Sequence, residues 1–406
     1  MGVRMLTITA ILASTFGSVG LITGIYWLLV AVRMRRLDRF SPQMADGLHL
    51  PAAPGRVSVV VPAHNEERVI ERLVTSVLGQ QDVEVELVVV LDRCTDRTLA
   101  RLRDAAGDDP RVRIVEVDHC PDDWAGKCHA AAAGAAVSTG DWILFTDADV
   151  GFDPGVLRAS TALAADQKVD LLTAWASLTA RRWWEIIAQP PAAITLLRMF
   201  PPDRVNNFDH PRSFANGQFM LFRRDAYTRI GGHDAVKAAV LEDLAFAALV
   251  HRHDGRVLVS VACSMVQTDM YDSLDGLLGG WKRILVEAAK RNIPRLVTNL
   301  ILVLGSGLAP IACWVAVIAG VVALTSEGLL GLGLVAISAG LFGLGSQGLM
   351  LARIFGRARM PRIGVLGWTV GCLLVCRAIL EGIGDLRHGR PIRWGGREYV
   401  LRPGPR

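Results

Sequence analysis

Short, almost wholly apolar runs alternate with helical stretches through the middle of this chain, and apolar blocks of membrane length flank that region. The runs at 57–61, 85–91, 112–117 and 142–146 have the length and β-branched content of buried strands. Between them, 67–78 is amphipathic at helical spacing, 95–106 reads as a second helix, and 127–137 as a helix of small residues. Strands alternating with helices predict an α/β fold with right-handed crossovers, a largely parallel sheet, and a ligand at the strands' carboxyl ends. No Gly-x-Gly-x-x-Gly or Walker loop follows any strand, which argues against a dinucleotide or P-loop site.

Residues 6–32 exceed the roughly 20 apolar residues that cross a bilayer, and Arg33, Arg35, Arg36 and Arg39 follow them. That order reads as an anchor and not a removed signal peptide, and it places the basic cluster in the cytoplasm. Residues 296–324 and 329–351 predict a transmembrane hairpin, with Arg353, Arg357 and Arg359 back inside. Residues 363–383 carry Arg377 and Glu381 one turn apart; the favoured expectation is a shallow or re-entrant segment, with a full crossing as the alternative. Residues 271–292 predict an amphipathic helix, on the cytoplasmic membrane face or packed in a bundle. The aromatic-rich stretch 183–200, broken by Pro190 and Pro191, either borders a lipid groove or is plain core. The expected organisation is therefore an anchor at 1–36, a linker at 37–55, an α/β domain at 56–270, an interfacial helix at 271–293, transmembrane helices at 294–386, and a basic cytoplasmic tail at 387–406.

Composition sharpens the membrane reading. Of 406 residues, 51% are hydrophobic, too many for an ordinary soluble enzyme. The net charge of +5 comes largely from clusters beside the apolar blocks, so membrane flanking explains it better than nucleic-acid binding. Seven cysteines without a Cys-x-x-Cys pair imply no disulfide framework, and His119-Cys120 and Cys128-His129 match no standard zinc spacing. His64, His119 and His233 suggest no role.

Candidate chemistry begins where the run 142–146 ends. Asp147 and Asp149 stand at i and i+2, so a strand end could present both carboxylates to one hard cation, Mg²⁺ or Mn²⁺. Asp-x-Asp in such a loop also serves ordinary turn chemistry. Lys127 follows Gly126 at a helix start, where an ammonium and free N–H groups can meet phosphate; a solvated surface lysine is the alternative. Glu242-Asp243 precedes an apolar helical run, a place that favours acidic residues in any case.

Taken together these residues resemble a family 2 glycosyltransferase with the GT-A fold. Val59-Val60-Val61-Pro62-Ala63-His64-Asn65-Glu66-Glu67 resembles the family's first strand and nucleotide loop. Val89-Val90-Leu91-Asp92-Arg93-Cys94-Thr95-Asp96 resembles its second nucleotide segment, with Leu91 where the family usually has the first of two aspartates. Thr146-Asp147-Ala148-Asp149 matches the metal motif, and Leu241-Glu242-Asp243 the acceptor-side motif whose Asp is the base. Trp124-Ala125-Gly126-Lys127, Ala215-Asn216-Gly217-Gln218-Phe219, Arg223-Arg224-Asp225-Ala226-Tyr227, Gly231-Gly232-His233 and Arg393-Trp394-Gly395-Gly396-Arg397-Glu398-Tyr399 are similar to segments of membrane members, the hopanoid-associated and carotenoid-type transferases. The absence of a QxxRW motif argues against a processive polysaccharide synthase.

The resemblance implies a cytoplasmic GT-A domain, Rossmann-like with a mostly parallel sheet, held by transmembrane α-helices in the inner (cell) membrane. It implies inverting, metal-dependent transfer of a hexose from a nucleotide sugar, UDP-linked by preference, to a hydroxyl of a membrane lipid. Asp243 would be the catalytic base, and Asp147 and Asp149 the metal ligands. Pro62, Asn65, Glu66, Asp92, Lys127, Asp147, Gly217 and Gln218 would bind the nucleotide sugar. Arg393, Trp394 and Arg397 would close over diphosphate or the lipid headgroup, or serve as interfacial anchors. Two alternatives remain. A polyprenyl-phosphate acceptor is already ionised and needs Asp243 less, and a non-catalytic membrane protein would only bind nucleotide.

Overall fold

The computed structural model describes residues 3–394 and 397–400. Ten strands build its two main sheets: β1 (Val57–Ala63), β2 (Val85–Asp92), β3 (Val112–Val117), β4 (Trp142–Phe145), β5 (Val150–Phe152), β6 (Leu171–Trp175), β7 (Ser177–Leu178), β8 (Met220–Arg223), β9 (Val257–Val261) and β10 (Val266–Thr268). The helices are α1 (Val3–Leu37), α2 (Ile70–Leu78), α3 (Thr98–Ala106), α4 (Gly126–Val137), α5 (Val156–Asp166), α6 (Trp183–Met199), α7 (Pro202–Val205), α8 (Arg224–Arg229), α9 (Glu242–Arg252), α10 (Leu274–Ala288), α11 (Ile293–Leu324), α12 (Leu330–Arg357) and α13 (Trp368–His388).

The larger sheet has the order β3-β2-β1-β4-β8-β6-β9. β1 lies parallel to β2 and β4, β2 to β3, and β6 to β9; β8 alone runs antiparallel to both neighbours. The sheet is thus mostly parallel, as the alternation of strands and helices predicts. The interior strands are apolar at nearly every position because both faces are covered. Ile70, Leu73 and Val77 of α2, Leu102 of α3 and Leu157 of α5 fill one side. Ala130 and Ala131 of α4 and Phe246 of α9 fill the other. The parallel register brings the carboxyl ends of β1, β2 and β4 to one edge.

Residues 38–50, expected within a linker, pack instead. Met44 is fully buried, the Arg158 guanidinium of α5 donates to the carbonyls of Gly47 and Leu50, and the Pro42 carbonyl accepts from Val261 N–H at 2.9 Å. Low periodicity concealed this, because the segment docks through backbone carbonyls and a few unevenly spaced side chains, Met44, Ala45 and Leu50.

Among the described residues, four spans are long and apolar enough to cross a membrane, and α1, α11, α12 and α13 make up most or all of each. Small residues meet where these helices touch, among them Ala13, Ala319 and Ala336. Large apolar side chains such as Ile22, Ile301 and Val335 face outward. Arg377 and Glu381 pair at 2.8 Å on an exposed face of α13.

α6 continues through both prolines, which deprive the Ile186 and Ile187 carbonyls of their helical donors. Gly371 of α13 sits directly against the Ile187 carbonyl, where any Cβ would overlap it. The amphipathic stretch expected at the membrane face turns its apolar side to protein. Leu277, Leu278, Trp281 and Leu285 of α10 share one core with Trp184 and Ala188 of α6 and Ile379 and Ile383 of α13. Lys282 seals that contact on Asp385 at 2.6 Å. Helical periodicity is the same for a bilayer and a bundle, so it could not separate them. Beyond α13, β11 (Pro391–Trp394) and β12 (Arg397–Val400) form an antiparallel hairpin.

Candidate active site

The strand edge opens into a cavity of about 660 Å³. Pro62 at the end of β1, Glu66 in the loop beyond it, Asp92 at the end of β2, Lys127 at the start of α4, and Asp147 and Asp149 after β4 all line it. Gly217 and Gln218 before β8 and Asp243 at the start of α9 complete the polar wall. Of the residues expected to bind a nucleotide sugar, Asn65 alone is missing from this lining. Its backbone is left-handed, with φ of 59°, and its Oδ1 accepts from the N–H groups of Thr95 (2.8 Å) and Asp96 (3.3 Å). Asn65 therefore shapes the loop that carries Asp92 and Asp96, because asparagine tolerates this conformation and caps its neighbours. The roles expected of Arg393, Trp394 and Arg397 concern side chains outside the described residues.

Charge is concentrated at the centre. The Lys127 ammonium lies 2.6 Å from Asp147 Oδ1 and 2.6 Å from Glu242 Oε1. Burial opposes its charge, but the two carboxylates outweigh that and hold it protonated above the usual lysine range. Asp149 has a buried Oδ1 with no hydrogen-bond partner. Its burial, then Asp147 and Glu66, push its carboxyl well above the usual range. Glu66 is pushed up to about 7 by burial, then by Asp147 and Asp96. Carboxylates crowded this closely, one with an orphaned oxygen, fit a hard cation. Among the described residues no three His, Cys, Asp or Glu side chains form a complete cage. A cation here would take much of its shell from other oxygens.

Asp243 occupies the first turn of α9. Its Oδ2 accepts from Gly217 N–H at 2.9 Å and its Oδ1 from Leu244 N–H at 2.7 Å. Burial, then the neighbouring Glu242 charge, raises its pKa to about 7, against the pull of Lys127 and the two amides. Asp92 is held in a fork by Arg93, with two N–H···O contacts of 2.8 Å. His233 is buried against Phe145, Tyr227 and Phe246 and is pushed down to about 3 by burial and by Lys127.

Away from the carboxylates the cavity becomes apolar. Trp175 and Phe214, stacked at 4.6 Å, face it with Leu196 of α6, Leu244 of α9 and Trp281 and Ile284 of α10. Leu196 belongs to the stretch 183–200 expected to border a lipid groove or to be core, whereas Trp175, Phe214 and Leu244 were not singled out from sequence. Trp281 and Ile284 were visible only as parts of an amphipathic face, and Glu242 only as half of an acidic pair. The wall joins the acidic centre to the helices that pack against α13.

Residues 58–231 match the protein family described as Glycosyl transferase family 2. The chain is 27% identical over 261 residues to 4,4'-diaponeurosporenoate glycosyltransferase of Staphylococcus aureus (strain USA300), covering 63% of this chain and 67% of that protein. A mannosyltransferase from Pyrobaculum calidifontis, solved with GDP-Man and Mn²⁺, is similar in structure at a TM-score of 0.48 and 18% identity, over 93% of this chain and 99% of that one. Glucosyl-3-phosphoglycerate synthase from Mycobacterium tuberculosis, solved with Mn²⁺, UDP-glucose and phosphoglyceric acid, is similar at a TM-score of 0.38 and 20% identity, over 57% and 79% of the two chains.

Proposed function

We propose that this chain, whose residues 58–231 match Glycosyl transferase family 2, is a glycosyltransferase that moves a hexose from a nucleotide sugar, UDP-linked by preference, to a hydroxyl of a membrane lipid, with inversion. One observation carries this reading: Asp147, Asp149 and Asp243 face a single cavity that continues into an apolar wall shared with α6 and α10. A carotenoid-type acceptor of the kind named in the staphylococcal relative is the class of molecule such a wall suits.

The residues divide the work by chemistry. Pro62, Glu66 and Asp92 border the nucleoside end. The free N–H groups at the start of α4 and the Lys127 ammonium face the diphosphate, where a helix N-terminus favours negative charge. Asp149 and Asp147 would hold Mg²⁺ or Mn²⁺, which supplies Lewis-acid neutralisation of the leaving diphosphate. Asp243 takes the proton from the acceptor hydroxyl. Its pKa of about 7 leaves it both ionised and basic near neutral pH. A single carboxylate base, with direct displacement from the opposite face, predicts inversion at the anomeric carbon. Trp175, Phe214, Trp281 and Ile284 line the side where the lipid body would lie. The basic residues after α1 and α12 support a cytoplasmic position for this domain at the inner membrane.

The test is transfer itself. The full chain in native-lipid nanodiscs is given a panel of labelled UDP- and GDP-sugars with Mn²⁺, and the extracted lipids are read by mass spectrometry. A hexosyl lipid made by the wild type and absent with Asp149→Ala is expected. Equal product with Asp149→Ala would overturn the metal role, and no lipid product from any donor would overturn the reading.

A further inference from the structure

Glu242 and Asp147 belong to separate elements, one at the start of α9 and one after β4, yet both touch the same ammonium. Lys127 Nζ is 2.6 Å from each, and Glu242 is only 3% exposed. Asp149, two residues from Asp147, has no partner at Oδ1. Lys127 therefore serves the carboxylate that the proposed metal needs and leaves Oδ1 of the adjacent one without a hydrogen-bond partner.

We propose that Lys127 is an exchangeable counter-cation: it neutralises Asp147 while the site holds no donor, and it gives up Asp147 but keeps Glu242 when the cation and diphosphate arrive. The inference rests on the nucleotide-sugar reading above. It assigns Glu242 a role as a positioning residue, since a buried ammonium released from Asp147 needs a permanent anionic partner. Gly217 passes over the same group, and a Cβ there would stand 3.1 Å from Lys127 Nζ and 3.4 Å from Glu242 Oε1, so the ammonium is confined under that loop.

The exchange has a thermodynamic consequence. A bare divalent cation must displace the ammonium from Asp147, with nothing to satisfy the freed N–H donors, so it binds weakly. With a nucleoside diphosphate present, phosphoryl oxygens accept those donors, and cation and nucleotide strengthen each other. A lysine that merely filled space would create no such coupling.

Calorimetric titration of the full chain with Mn²⁺ alone, and with UDP or GDP at saturating Mn²⁺, reads both halves. For Lys127→Met, bare Mn²⁺ should bind about tenfold tighter and the nucleotide about tenfold weaker, the scale of one charge-assisted hydrogen bond. Lys127→Arg should keep the wild-type pattern, which separates charge from misfolding. Glu242→Gln should weaken bare Mn²⁺, because the ammonium then has Asp147 as its one anionic partner. Unchanged or weaker Mn²⁺ binding by Lys127→Met, with the wild type binding Mn²⁺ normally, would overturn the exchange and leave the donor reading intact. A wild type that takes up no Mn²⁺ even with nucleotide present would overturn both.

Discussion

Gly217 N–H donates to Asp243 Oδ2 across 2.9 Å, tying the loop before β8 to the first turn of α9. Leu244 N–H holds the other carboxylate oxygen at 2.7 Å. Two fixed amides leave the carboxylate little rotational freedom, so its remaining lone pairs point where the backbone dictates.

A side chain at 217 would disturb Lys127 before it disturbed Asp243. A Cβ would stand 3.5 Å from Asp243 Oδ2 and tighter against Lys127, displacing the long side chain and not the fold. Gly217→Ala should lower kcat about tenfold to a hundredfold with little change in Tm. Steady-state kinetics beside thermal melting checks both.

Asp243→Asn keeps the hydrogen-bonding shape and removes the base. A fall in kcat of about 10²–10⁴ is expected, with nucleotide affinity within about twofold of wild type. Substantial residual turnover would instead favour an acceptor that is already ionised, such as a polyprenyl phosphate.

The pH dependence follows from the same carboxyl. Asp243 acts when deprotonated, and burial with Glu242 places its pKa at about 7. Log kcat should therefore climb with unit slope up to about pH 7 and level off above it. A pH–rate profile of the wild type should show this limb, and that of Asp243→Asn should lack it.

The α6–α13 contact is testable through stability. A Cβ at Gly371 would overlap the Ile187 carbonyl, which the Pro191 ring leaves without a helical donor. Gly371→Ala should cost about 1–3 kcal/mol through overpacking. Thermal unfolding in detergent should register it.

Much of the fold was legible because burial on two faces leaves an unmistakable apolar run. β1, β2, β3 and β4 fall where their valines, isoleucines and leucines predict. The reversed strand β8 was not, since Met220-Leu221-Phe222 reads the same in either direction. Asp147 and Asp149 stand out by their spacing at a strand end and Asp243 by its motif, and all three line one cavity. The loop role of Asn65 was not legible, since its φ of 59° and its hydrogen bonds to Thr95 and Asp96 appear only in the folded chain. The apolar wall was legible only in part, through the stretch 183–200 that contains Leu196. Trp175, Leu196, Phe214 and Trp281 come from four separate segments, and only tertiary packing makes neighbours of them.

The most direct measurement is anomalous scattering at the manganese edge from crystals of the full chain grown with Mn²⁺ and a bound nucleoside diphosphate. We predict a single peak within coordinating distance of the Asp149 carboxylate and the diphosphate oxygens. Bound nucleotide with no anomalous peak beside Asp149 would contradict the proposed chemistry.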